Sequence, residues 1–149
     1  MKAQKMYCEG HFCSDIVPLL RIDHDNPHLL RKAFEAGAGG VIVPHIRTQQ
    51  EAQAIVQATK FPPIGKRGYG GQCFSAKWGI KAGIEWMELW NKETLVIPMA
   101  EDIEALVNID SIMATEGVDA IFSVQRILVF LREDFLMLIM LRTFANWQR

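Results

Sequence analysis

VPLLRIDHDNPHLLRKAFEAGAGGVIVPHI, residues 17–46, decides the fold. Taken with Ile16, its opening run to Ile22 is short and apolar with a charge near its end, the pattern of a buried strand. Asn26-Pro27 then supplies an N-cap and a proline at the first helical position. Leu29, Leu30, Ala33 and Phe34 recur at helical spacing, and Gly37, Gly39 and Gly40 stop the helix. Val41-Ile42-Val43-Pro44 is a second buried strand. A strand, a helix and a strand in so short a span make a unit whose two strands run parallel.

The alternation continues outward. Thr48 caps a helix with Glu51 at the capping-box position and with Ala52, Ile55 and Val56 on one face. Residues 61–75 form a loop rich in glycine and proline, and 76–90 read as helix despite Gly79 and Gly83. Leu95-Val96-Ile97-Pro98-Met99 is a third strand and 118–122 a fourth. Between them 102–114 read as one helix with Ile103, Leu106, Ile109, Ile112 and Met113 facing inward. Strands apolar on both faces that alternate with helices predict an α/β protein, with a parallel sheet covered by helices. Right-handed crossovers place the four strands in sequential order. No break in composition divides the chain, so residues 1–149 are expected to form a single domain.

Periodicity leaves an open doubly wound sheet and a closed barrel both standing. In either, function sits at the carboxyl ends of the strands. Those ends carry Arg21 with Asp23-His24-Asp25, then His45, then Glu101-Asp102, then Ser123.

The bulk composition excludes several classes. A net charge of −1 gives no electrostatic case for nucleic acid or an anionic membrane as partner. Cys8, Cys13 and Cys73 are an odd count without metal-finger spacing, which predicts reduced thiols in a cytoplasmic protein with no signal peptide. The apolar run 135–141 is too short for a bilayer, which takes about 20 residues. His24, His28 and His45 lack the spacing of a zinc site and read as solvated or hydrogen-bonded histidines, although His45 alone follows a strand. Gly65-Lys66-Arg67-Gly68-Tyr69-Gly70-Gly71 lacks the Gly-Lys-Ser/Thr ending of a phosphate-binding P-loop. Trp78, Trp86 and Trp90 stand at helical spacing, which predicts packing in a core or interface.

Four stretches in order carry a family resemblance: residues 17–46, then KFPPIGKRGYG, LVIPMAEDIEALVNID and EGVDAIF. Together, over about residues 16–122, they resemble the metal-dependent, pyruvate-forming aldolases of the HpcH/HpaI family. The resemblance implies a (β/α)8 barrel that cleaves or forms 4-hydroxy-2-oxo acids. Its partners would be a small 2-oxo acid, pyruvate, and an aldehyde, with a homo-oligomer expected. A full barrel takes about 250 residues. The expectation here is therefore an incomplete barrel of about four central strands.

Cleaving a 2-oxo acid leaves negative charge on an enolate oxygen, which a divalent cation or a fixed guanidinium can stabilise. The resemblance places Arg21 as that guanidinium, against the plainer reading that it pairs with Asp23 or Asp25. Glu101 matches the family's first metal carboxylate, and an oxygen ligand suits Mg²⁺ or Mn²⁺. The plainer reading of Glu101 is a first-turn acid complementing a helix dipole, which Asp102 and Glu104 fit better. The family places the loop equivalent to 65–71 near the active-site mouth and subunit contacts, so Arg67 is expected to approach substrate.

After the fourth strand the family continues Gly-Pro-Ala-Asp, whose aspartate is the second metal ligand. Here Ser123-Val124-Gln125-Arg126 stands in that place, with no acid until Glu133. Permitted codons for 124–127 read Pro-Ala-Asp in a shifted frame, so 123–149 are expected to be a divergent tail for which the codons allow a frame shift. The family's general-base histidine comes from a segment before Ile16, and His11 matches no family motif. These gaps predict impaired catalysis. The alternative is a non-catalytic barrel remnant acting through self-association of its open sheet edges.

Overall fold

The computed structural model describes residues 17–123. Its strands are β1 (Leu19–Arg21), β2 (Gly40–Val43), β3 (Leu95–Ala100) and β4 (Phe122–Ser123). They form one sheet in the order β1-β2-β3-β4, parallel at each of the three pairings. The helices are α1 (Pro27–Glu35), α2 (Gln49–Thr59), α3 (Gly83–Glu93), α4 (Ile103–Val107) and α5 (Ile109–Met113). The alternation and the sequential strand order are those expected from the sequence.

Local chemistry explains the boundaries. Asn26 caps α1 by accepting the Leu29 N–H at 3.0 Å. At its other end the Gly37 N–H bonds the Phe34 carbonyl and the Ala38 N–H the Ala33 carbonyl, both at 3.1 Å. That double closure needs a left-handed residue, and Gly37 supplies φ 95°. Helix α2 starts with the capping box expected, Thr48 Oγ1 accepting from Glu51 N–H and Glu51 Oε2 from Thr48 N–H.

The two faces of the sheet differ. Register aligns Leu20, Val41 and Val96 in one row and Arg21, Ile42 and Ile97 in the next. Val41, Val43 and Val96 are fully buried beneath the helices, packed with Leu30, Phe34, Ile55, Val56 and Ile112. On the opposite face Leu19, Leu95 and Phe122 remain 40%, 38% and 49% exposed. In a closed barrel that second face is the interior, filled by side chains from strands across the axis. The apolarity of both strand faces is therefore barrel patterning, with one face covered by the described helices.

Three sequence expectations are corrected. Residues 76–90 are not one helix: a 3₁₀ turn occupies Lys77–Gly79, Lys77 and Trp78 adopt φ 48° and 56°, and α3 begins at Gly83. Trp86 and Trp90 still stack at 5.4 Å, while Trp78 is 64% exposed and edges onto Phe74. Residues 102–114 break at Asn108 (φ −93°, ψ 7°) into α4 and α5. Leu106 and Ile112 are buried, but Ile103 and Met113, expected to face inward, are 62% and 39% exposed. Strand β4 covers Phe122–Ser123, not 118–122, although the Asp119 N–H already bonds the Val96 carbonyl at 3.1 Å. The tail expected to diverge lies, from Val124 on, outside the described residues, as do His11 and Ile16.

Candidate active site at the carboxyl end of the sheet

Arg21 is the last residue of β1, exposed, and aligned with Ile42 and Ile97. Among the described residues it has no carboxylate partner; Asp25 pairs instead with His24 at 3.1 Å. Glu101 is the first residue past β3. Side chains alternate across a strand, so continuing the row of Ile97 and Met99 by one step puts Glu101 on the Arg21 face. The two sequence-predicted residues thus share one face and one end of the sheet, without a direct contact between them.

Glu101 is brought to His45. Its Oε2 accepts the His45 backbone N–H at 3.0 Å and lies 3.2 Å from the ring Nδ1. His45 holds φ 58°, the left-handed region, just past β2, which aims its N–H at the carboxylate. Glu101 is mostly enclosed while His45 stays largely in solvent. The dipole reading belongs to Asp102, whose side chain accepts the Ala105 N–H at 2.9 Å as N-cap of α4.

Asp102 also pairs with Arg47 Nε at 2.6 Å, and the Arg47 carbonyl accepts from Asn108 Nδ2 at 2.8 Å. Burial raises the Asp102 carboxyl, but the Ala105 N–H and the Arg47 hydrogen bond and charge outweigh it, and the net shift is downward. The same hydrogen bond, with Asp102's charge, pushes the Arg47 guanidinium up. Sequence reading missed the Arg47–Asp102 pair; its one signal was that both residues lie in the segments that follow adjacent strands.

Arg67 lies elsewhere. Its side chain is 3% exposed, with the guanidinium carbon 4.5 Å from the Phe61 ring centre and 5.5 Å from that of Phe34. Burial pushes it down to about 10, which leaves it charged at neutral pH. It lines a cleft beside α1 that neither Arg21, His45 nor Glu101 borders.

The donor set decides the metal question. Mg²⁺ takes six oxygen ligands in octahedral geometry, usually one or two carboxylates together with waters and substrate oxygens. Among the described residues no three His, Cys, Asp or Glu side chains converge. Glu101 offers one carboxylate, with Oε2 already held by His45. The place where the resemblance puts the second carboxylate falls past Ser123, outside the described residues. The described residues alone do not make a metal site. The other histidines behave as hydrogen-bonded groups: His28 Nδ1 lies 3.5 Å from Arg31 Nη2.

Comparison with known proteins agrees with this geometry. The HpcH/HpaI aldolase/citrate lyase family matches residues 2–128, wider at both ends than the quoted stretches. The chain is 33% identical over 110 residues to the 2-dehydro-3,6-dideoxy-6-sulfogluconate aldolase of Pseudomonas putida, covering 74% of this chain and 42% of that protein. It is 35% identical over 121 residues to the 4-hydroxy-4-methyl-2-oxoglutarate aldolase of Chaetomium globosum, covering 80% and 45%. Among solved structures, an HpcH/HpaI aldolase/citrate lyase family protein from Burkholderia cenocepacia superposes with a TM-score of 0.69 at 28% identity, covering 86% of this chain and 53% of that one. The chain therefore spans about half the length of the relatives it matches, and its four strands are an arc of their barrel-type fold. A parallel arc with an arginine and a glutamate at its carboxyl ends, matched along most of its length, belongs to the HpcH/HpaI aldolase/citrate lyase family.

Proposed function

We propose that this chain carries the pyruvate side of an aldol-cleavage site for 4-hydroxy-2-oxo acids, with Arg21 as its electrostatic centre. The observation that carries this is an arginine at a strand's carboxyl end with no carboxylate partner among the described residues, in a chain whose relatives include aldolases. In retro-aldol cleavage the 4-hydroxyl loses its proton, the C3–C4 bond breaks and an aldehyde departs. The bonding pair moves into the 2-oxo group as an enolate, which takes a proton at C3 to become pyruvate. An uncommitted guanidinium beside the oxo oxygen stabilises the charge where it develops.

Glu101 is the carboxylate on that face suited to a hard cation, Mg²⁺ or Mn²⁺, but no step here runs through it. General-base catalysis is typically worth about 10²–10⁴-fold, and no described residue takes that role. Turnover by this chain is accordingly expected to fall far below that of a complete barrel. Pyruvate release from a 4-hydroxy-2-oxo acid, with Mg²⁺ or Mn²⁺ present, tests the reading. Slow release that falls by about 10²-fold or to background in Arg21→Ala supports it. Release unchanged in that variant, or none above a protein-free control, overturns it.

A homo-oligomer and a reducing, cytoplasmic setting are part of the same reading. The exposed apolar side chains of Leu19, Leu95 and Phe122 and the free thiol of Cys73 support them. Among the described residues no helix is long and apolar enough to cross a membrane.

A further inference from the structure

Arg67 is a buried charge whose needs are half met. The backbone at its base is fixed: Lys66 N–H bonds the Gln57 carbonyl at 2.9 Å and Arg67 N–H the Lys60 carbonyl at 3.0 Å. Phe61 and Phe34 attract the cation through their rings. A guanidinium's N–H groups lie in its plane, however, and need acceptors there. Arg67 Nε and Nη1 are both buried with no acceptor among the described residues.

The cleft that Arg67 lines has a volume of about 280 Å³ and lies between α1 and the end of α2. His28 and Arg31 border it from α1, Ala58 from α2, and Lys66 from the loop. One carboxylate, Glu35, stands near: it pairs with Arg31 Nε at 3.2 Å and attracts Arg67 from a distance. Among the described residues, Arg31, Lys66 and Arg67 against Glu35 leave the cleft with an excess of two positive charges. A phosphate dianion neutralises that excess; a monocarboxylate leaves half of it.

We propose that this cleft binds a small oxyanion of the phosphate or phosphomonoester class, with Arg67 as the anchoring donor and Lys66 and Arg31 at its rim. The site stands apart from the Arg21 mouth and does not depend on the activity proposed there. It gives the arginine of the Gly-Lys-Arg-Gly loop a role other than contact with the cleaved 2-oxo acid.

The test is a titration of the full chain with inorganic phosphate, read by calorimetry and by the Arg67 side-chain ¹⁵Nε resonance. Chloride at matched ionic strength and pyruvate serve as separate arms. The expected result is saturable phosphate binding that shifts the Arg67 signal, weakens about fivefold or more in Lys66→Gln through loss of one charge–charge contact, and disappears in Arg67→Gln. Lys66 is exposed, so its variant reads binding without disturbing the core. Three results would overturn the proposal: a chloride response equal to the phosphate response, an Arg67 signal unmoved by phosphate, or pyruvate binding the cleft as tightly. An Arg67 signal that moves with protein concentration alone would assign its acceptor to a second copy of the chain, and also overturns it.

Discussion

The amino and carboxyl ends of this sheet are built on opposite principles. At the amino end Lys60 is fully buried, its Nζ donating to the carbonyls of Asn91 and Thr94 and pairing with Asp119 Oδ2 at 3.3 Å. Asp119 Oδ2 also accepts the Val96 N–H at 2.7 Å, and Asn91 exchanges two hydrogen bonds with the Phe61 backbone. That network ties the end of α2, the start of β3 and the approach to β4. At the carboxyl end Arg21 is exposed without a carboxylate partner among the described residues, and His45, which holds Glu101, is largely in solvent. Polar groups at the amino end are buried and saturated and hold the fold; those at the carboxyl end lie closer to solvent, with Arg21 left without such a partner. This division matches the general rule for barrels, in which the carboxyl face reacts and the opposite face stabilises.

The largest stability effect should therefore come from the amino end. Lys60→Met keeps the aliphatic length but leaves two carbonyls and the Asp119 carboxylate without their cation. Removing one partner of such a buried network costs about 2–4 kcal/mol, against under about 0.5 kcal/mol for a surface change such as Arg21→Ala. Paired urea denaturation curves measure both. Burial holds the Lys60 amine below its ordinary range while Asp119 opposes the shift, so part of the native stability is spent on keeping it charged.

Gly117→Ala comes next. Gly117 has φ 91°, and a Cβ there would sit 2.7 Å from Val56 Cγ1 and 2.9 Å from Ile64 Cγ2. A left-handed alanine with a clash at the core edge is expected to cost about 1–3 kcal/mol, read as a lower denaturation midpoint.

Asp102→Asn should cost less than either, because asparagine keeps the N-cap acceptor and loses only the partly exposed Arg47 pair, its Nδ2 replacing the oxygen that accepts from Arg47 Nε. A partly exposed pair contributes about 0.2–1 kcal/mol. The native Asp102 carboxyl lies below 3.8, so the unfolded chain takes up its proton first as the pH falls. The difference between wild type and variant should be full above pH 3.8 and vanish as pH drops through the native value. A difference that grew on acidification would contradict the pairing.

Much of this was legible in the sequence because the signals were local. Asn26-Pro27, Thr48 with Glu51, and the apolar runs around Val41 and Val96 each specify their element within a few residues. Asp102 was separable from Glu101 for the same reason, since an N-cap announces itself by position. What stayed hidden depends on contacts distant in sequence. Glu101 meets His45 across 56 positions, and nothing local to either residue shows it. Periodicity across 102–114 presumed one helix with Ile103 and Met113 inward, whereas the helix breaks at Asn108 and both side chains are exposed. Arg67 looks like any charge in a glycine-rich loop until Phe34 and Phe61 close over it.

The most direct test of the division between the two ends is pyruvate binding to wild type and Arg21→Ala, each matched for folded fraction by its denaturation curve. The prediction is that Arg21→Ala unfolds like wild type yet binds pyruvate at least about tenfold more weakly, as loss of a charge-assisted hydrogen bond implies. Equal pyruvate affinity in the two proteins would contradict it and remove Arg21 from the site.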